Sequence, residues 1–80
     1  MTKEDIKEQV QDIFRDLFDN ESIVVDEGTT ADDIEDWDSL VHISLITSIE
    51  KHFSVKFKMN EVMRFKNVGD MVDTIAGKVS

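Results

Sequence analysis

The sequence contains no cysteine, which excludes disulfides and thiolate metal sites. It has no proline and only three glycines, Gly28, Gly69 and Gly77. The ends of its elements must therefore be set by capping side chains and apolar periodicity rather than by the usual breakers. No apolar run approaches the length of a membrane span, and the polar start Met1-Thr2-Lys3-Glu4-Asp5 is unlike a signal segment. A cytoplasmic protein with no membrane insertion is the expectation. Positive charge is scarce: 9 Lys and Arg stand against 18 Asp and Glu, a net charge of -9. Such a surface repels phosphates, which argues against nucleic acid, and it suits solubility and basic protein partners. Repeats and low-complexity tracts are also missing.

What is present is helical periodicity in 80 residues, read as one domain over 1–80 and a monomer. A chain this short buries a modest core and is marginally stable. Ile6, Val10, Ile13, Phe14 and Leu17 form one stripe, so a first helix is predicted from Lys3 to Phe18. Thr2 and Asp5 supply a capping box, and Asp19-Asn20 a stop. Residues 19–36 have no helical period. They read as an extended segment, with Ile23-Val24-Val25 laid on the core, and a loop this long tends to be functional. A second helix is predicted from Ser39 to Phe53, with Leu40, Ile43, Ile46, Ile49 and Phe53 as its stripe, widened by Leu45. Val55, Phe57 and Met59 alternate with Lys56 and Lys58, but an isolated strand leaves its backbone unpaired, so this is read as an extended connector. A short helix over Asn60–Arg64 follows, anchored by Val62, Met63 and Phe65. The last helix runs from Val68 to Lys78, capped by Asn67, with Val68, Met71, Val72, Ile75 and Val79 inward. The fold class is all-α: a small four-helix bundle of three longer helices and one short one, with a long first loop.

The stretch EDWDSLVHISLI, residues 35–46, concentrates the chemistry. Ser39 and His42 are three apart and share a helix face. A nucleophilic serine also needs a base held by an orienting acid and oxyanion donors in a dry cleft, for which a bundle of this size leaves little room. His42 and His52 read as surface or rim residues. Asp32, Asp33, Glu35, Asp36 and Asp38 form an acidic cluster, but Asp26-Glu27-Gly28 does not fit the calcium-loop frame, so a solvated acidic loop is read and no metal site. By local pattern, Asp38-Ser39 is a helix start whose side-chain oxygens accept first-turn amides, and Trp37 is a packing residue before it, like a hydrophobic staple.

The order of these features resembles the acyl carrier protein family over nearly the whole chain. The resemblance rests on a first helix, a long loop, and Asp38-Ser39-Leu40 followed by Ile43, Leu45, Ile46, Ile49, Glu50 and Phe53. Val55-Lys56-Phe57, a brief third helix and a last helix from Val68 complete it. The resemblance implies a carrier rather than an enzyme. A phosphopantetheinyl transferase would join 4'-phosphopantetheine, from coenzyme A, to Ser39, and the thiol of that arm would carry acyl groups as thioesters. Acyl-loading, modifying and transferring enzymes would be the partners. The phosphodiester would lie near the amino end of the second helix, where the helix dipole favours an anion. Asp36 and Asp38 would repel it and turn the arm outward. The resemblance further implies that an acyl chain can be sheltered between helices, with Leu45, Ile46, Val62, Phe65 and Ile75 as lining residues.

Two departures from the family pattern bear on partners. Asp36 stands where fatty-acid carriers have glycine, followed by bulky Trp37. The outer face of the second helix reads Val41, His42, Ser44, Thr47, Ser48, Lys51 and His52, with Glu50 its one acid. Recognition is therefore assigned to Asp36, Trp37, Asp38, Leu40, Val41 and Glu50, in a stand-alone carrier serving a dedicated lipid, polyketide, peptide or surface-glycan pathway. The competing reading is a cofactor-free acidic adaptor binding a protein through Trp37, Leu40 and Val41.

Overall fold

Thr2 opens the first helix. Its hydroxyl accepts the Asp5 amide at 3.1 Å and the Asp5 carboxylate accepts the Thr2 amide at 3.4 Å, the reciprocal pair anticipated from sequence. The structure, a computed structural model, describes residues 2–30, 32–34 and 37–79. Its four helices are α1 (Lys3–Leu17), α2 (Ser39–Phe53), α3 (Met59–Met63) and α4 (Val68–Val79). Each lies within about one residue of its expected bounds, the ordinary scatter of helix ends. No strand occurs among the described residues, and 55–58 is an extended connector.

The scarcity of glycine shows at the helix ends. Asp19 follows α1 at φ 50 and Ser54 follows α2 at φ 57, both left-handed. The next amide reaches back five residues in each case: Asn20 to the Arg15 carbonyl at 3.0 Å, and Val55 to the Glu50 carbonyl at 3.1 Å. This closing pattern is usually built on glycine. At the start of α4, Asn67 Oδ1 accepts the Asp70 amide at 2.9 Å, the expected cap.

α1 packs against both α4 and α2. Ile6, Val10 and Phe14 of α1 meet Leu45 and Ile49 of α2 and Val68, Met71, Val72 and Ile75 of α4 in one core. Burying each such side chain contributes about 1.5–3 kcal/mol. The stripe predicted for α2 needs correction, because Leu40 and Ile43 are 82% and 58% exposed. The buried residues are Leu45, Ile46, Ile49 and Phe53. The five-residue α3 does not close over the first turns of α2, so an open groove remains there. Met63, expected as an anchor of α3, is 78% exposed for the same reason.

The long loop is tied down by backbone bonds. The Arg15 side chain donates to the Ile23 carbonyl at 2.8 Å and Gln11 accepts the Val25 amide at 3.0 Å. Val25 is buried and Ile23 packs against the core, while Val24 between them faces outward. Further on, the Thr29 and Glu27 carbonyls accept the amides of Val68 and Gly69, each at 2.9 Å. A Cβ on Gly69 would lie 2.9 Å from the Glu27 carbonyl oxygen and 3.2 Å from Asn67 Oδ1. Gly69→Ala should therefore push loop and helix apart and destabilise the fold by about 1–3 kcal/mol. Urea unfolding with an unchanged slope and a lowered midpoint is the expected result.

Candidate functional site

Ahead of α2, the Ile34 carbonyl accepts the Trp37 amide at 3.1 Å. Asp38 then starts α2: its Oδ1 accepts the Val41 amide at 2.9 Å. Asp38 is thus the cap, and Ser39 is the first helical residue with its side chain exposed. The sequence pattern had left the capping role shared between the two. No acid stands in the first turn of α2. The amides of Ser39 and Leu40 have no acceptor among the described residues, as expected of first-turn groups.

Trp37 is only 7% exposed. Its ring meets Phe14 edge-on at 5.1 Å and stacks on His42 at 5.8 Å. Its indole N–H donates to His42 Nδ1 at 3.1 Å. The staple-like reading of Trp37 is the geometry found, with His42 as the residue it packs on in the first turn. Its assignment as an exposed recognition residue is corrected: the ring is taken up by α1 and by His42. His42 is more than a rim residue, and sequence alone did not mark it, since nothing in the spacing shows that an indole will seek its nitrogen. An indole can only donate, so Nδ1 is the acceptor and the neutral ring carries its proton on Nε2. A serine-hydrolase base needs the reverse, an acid accepting from the ring. No hydrogen bond joins Ser39 to His42 among the described residues, and Ser39–His42 is not a catalytic pair.

Beside Ser39 lies a groove of about 490 Å³ between α2 and α3. Ser39, His42 and Ile43 line it from α2; Met59, Val62 and Met63 from α3; Phe65 and Lys66 follow them. Phe57 fixes the far wall by meeting Phe65 edge-on at 5.4 Å. Of the lining expected for an acyl chain, Val62 and Phe65 border this groove. Leu45, Ile46 and Ile75 do not; they are buried among α1, α2 and α4. The periodicity that marks them as apolar cannot say which apolar face is closed.

The remaining recognition residues separate. Leu40 stands out into solvent, while Val41 is half-buried against the core. Glu50 is half-buried and its carboxylate accepts the Phe57 amide at 2.8 Å, so it holds the connector in place. Asp36, and Glu35 of the acidic cluster, lie outside the described residues. Among the described residues, no group of three or more His, Asp or Glu could hold a metal.

Glu61 of α3 accepts the Lys58 amide at 2.8 Å and pairs with Lys78 of α4 at 3.1 Å. The bond from the Lys58 amide, then the Lys78 ammonium, holds its carboxyl below the ordinary value of 4.5. A carboxyl so lowered adds stability above its unfolded pKa and loses it as pH falls through the folded one. Urea midpoints across the acid range should therefore fall less steeply for Glu61→Gln than for wild type below pH 4.5.

These residues suit a phosphopantetheine group. Ser39 offers an exposed hydroxyl, two first-turn amides lie beside it, Lys66 supplies a nearby cation, and an apolar groove adjoins. Known proteins point the same way. The family model described as "Phosphopantetheine attachment site" matches residues 8–75. The solution NMR structure of the holo acyl carrier protein from Geobacter metallireducens superposes with a TM-score of 0.85 and 44% identity, covering 90% of this chain and 83% of that one. No curated protein matched the chain. The all-helical fold, the family match over most of the chain and this likeness agree: the chain belongs to the acyl carrier protein family, carriers rather than enzymes, with phosphopantetheine as the covalent cofactor.

Proposed function

We propose that the chain carries acyl intermediates as thioesters on a 4'-phosphopantetheine arm attached to Ser39. It acts as a single carrier domain and a monomer in the cytoplasm, and hands its cargo between the enzymes of a dedicated pathway. Its partners are a phosphopantetheinyl transferase and enzymes that load, modify and transfer acyl groups toward a lipid, polyketide, peptide or surface glycan. The observation that carries this reading is Ser39 itself, exposed at the first position of α2 and at the mouth of the apolar groove.

The arm supplies the thiol that a cysteine-free chain lacks. The chain's own residues do the rest. Asp38 turns its carboxylate into the Val41 amide, which lessens its repulsion of a phosphodiester on the next residue. Trp37 and His42 hold the start of α2 against α1 through the Phe14 contact. Ile43, Val62 and Phe65 offer the first apolar surface an attached chain would meet. No helix among the described residues is long and apolar enough to cross a membrane.

The test is intact mass after incubation with coenzyme A and a broad-specificity transferase, followed by fragmentation. Gain of one phosphopantetheinyl group mapped to Ser39 is expected. No gain with several such transferases would overturn the assignment.

A further inference from the structure

Ser39 and His42 do not form a hydrolytic pair, yet their spacing brings a polar ring to the residue that starts α2. The His42 amide donates to the Asp38 carbonyl at 2.8 Å, so the first turn of α2 is closed between them. Side chains three apart on a helix stand about 5–6 Å apart at Cβ. Helical side chains also lean toward the amino end, which carries the His42 ring back over the turn that Ser39 opens. Both residues line the same groove.

The neighbour of this ring decides which nitrogen is the donor. Trp37 is nearly buried, its N–H donates to His42 Nδ1 at 3.1 Å, and the two rings stack within 23° of parallel. An indole only donates, so Nδ1 accepts and the neutral ring keeps its proton on Nε2. Nε2 lies across the ring from Nδ1 and points away from the indole. It has no partner among the described residues. No buried side-chain nitrogen or oxygen among them is left unpaired, so Nε2 is where a ligand can reach it.

Two charged side chains also line this groove, Asp38 and Lys66. The Asp38 carboxylate accepts the Val41 amide and can only repel an anion on Ser39. Lys66 is exposed, and lysine is a charge on a flexible stem that fixes no direction. His42 is the side chain of the groove with both a donor and a held orientation.

We propose that His42 is a positioning residue for the arm. Its Nε2–H donates to a phosphodiester oxygen on Ser39, and Trp37 holds the ring so that this donor faces the attachment point. The inference rests on the reading of Ser39 as the attachment residue. Hydrogen bonds to a charged acceptor are the strong class, and one here offsets the repulsion from Asp38 and fixes the root of the arm. Trp37 thus serves the arm through His42, beyond its own packing against Phe14.

The test is nuclear magnetic resonance of the histidine ring nitrogens before and after loading from coenzyme A, with the phosphorus signal of the loaded chain in parallel. In the unloaded chain His42 should carry its proton on Nε2. On loading, the His42 Nε2 signal should shift and its proton should exchange with water at least about tenfold more slowly. The Trp37 indole signal should stay in place, and so should the ring of His52 at the far end of α2. His42→Phe keeps a ring to stack and lacks the donor, so it should move the phosphorus signal. His42→Gln, whose amide both accepts and donates, should restore it. A proton on Nδ1, or a His42 ring indifferent to loading, would overturn the proposal. So would Phe and Gln variants with the same phosphorus signal, since His42 would then act by packing alone. A phosphorus signal that follows Lys66→Gln and ignores His42→Phe would give the role to the cation and equally overturn it. Intact mass and fragmentation of the same sample separate the two failures. A chain that takes no arm, or takes it on another residue, overturns the carrier reading and this inference together; a chain loaded at Ser39 whose His42 is silent overturns this inference alone.

Discussion

Ser39→Ala is expected to abolish gain of the phosphopantetheinyl group completely and to leave stability within about 0.5 kcal/mol of wild type. The first half follows from chemistry, because alanine offers no oxygen for the phosphodiester. The second follows from the start of α2. Asp38, not Ser39, accepts the Val41 amide, and the Ser39 side chain is exposed at the first helical position. Alanine suits a helix at least as well as serine there. Intact mass and a urea midpoint on the same sample give both readings. A large loss of stability would mean that Ser39 caps the helix after all. Loading that survives in the variant would move the attachment to another hydroxyl. Asp38→Ala gives the complementary pattern, a loss of about 1 kcal/mol from the missing cap.

Trp37→Ala should destabilise the fold by about 3–5 kcal/mol. For 80 residues the whole stability is roughly 4–12 kcal/mol, so much of it is at stake. The indole is nearly buried, meets Phe14 edge-on, and ties the stretch before α2 to α1 and to the first turn of α2. Removing it opens a cavity against Phe14 and strips His42 of its stacking partner. Far-UV circular dichroism is the right probe, because Trp37 is the one tryptophan and its fluorescence disappears with it. Trp37→Phe retains the edge contact and lacks the N–H, so it should lose less than half as much. A loss under about 1 kcal/mol for alanine would show that the ring is not part of the core.

The helices were legible because their signals are local. Thr2 with Asp5 and Asn67 with Asp70 bond within three residues, and the α1 stripe buries as spaced. Ser39 is proposed for attachment because of its setting, an Asp-Ser-Leu triplet after a long loop, rather than through any property of serine. The groove was not legible. Leu45 and Ile43 are equally apolar and two residues apart, yet one is fully buried and the other more than half exposed. That difference comes from what lies opposite each: α1 and α4 across from Leu45, and across from Ile43 the short α3 with open space between.

By itself, then, the sequence determined the number and order of helices, the caps of α1 and α4, and the absence of a thiol, since these depend on composition and on contacts within a turn. Only the tertiary structure decided that Trp37 is buried, that His42 receives its N–H, and that Gly69 must be small to admit the Glu27 carbonyl. It also placed Lys66 and Asp38 together on the groove beside Ser39. Those outcomes depend on which surfaces meet across distant parts of the chain, and a close approach between two elements leaves no period in either one.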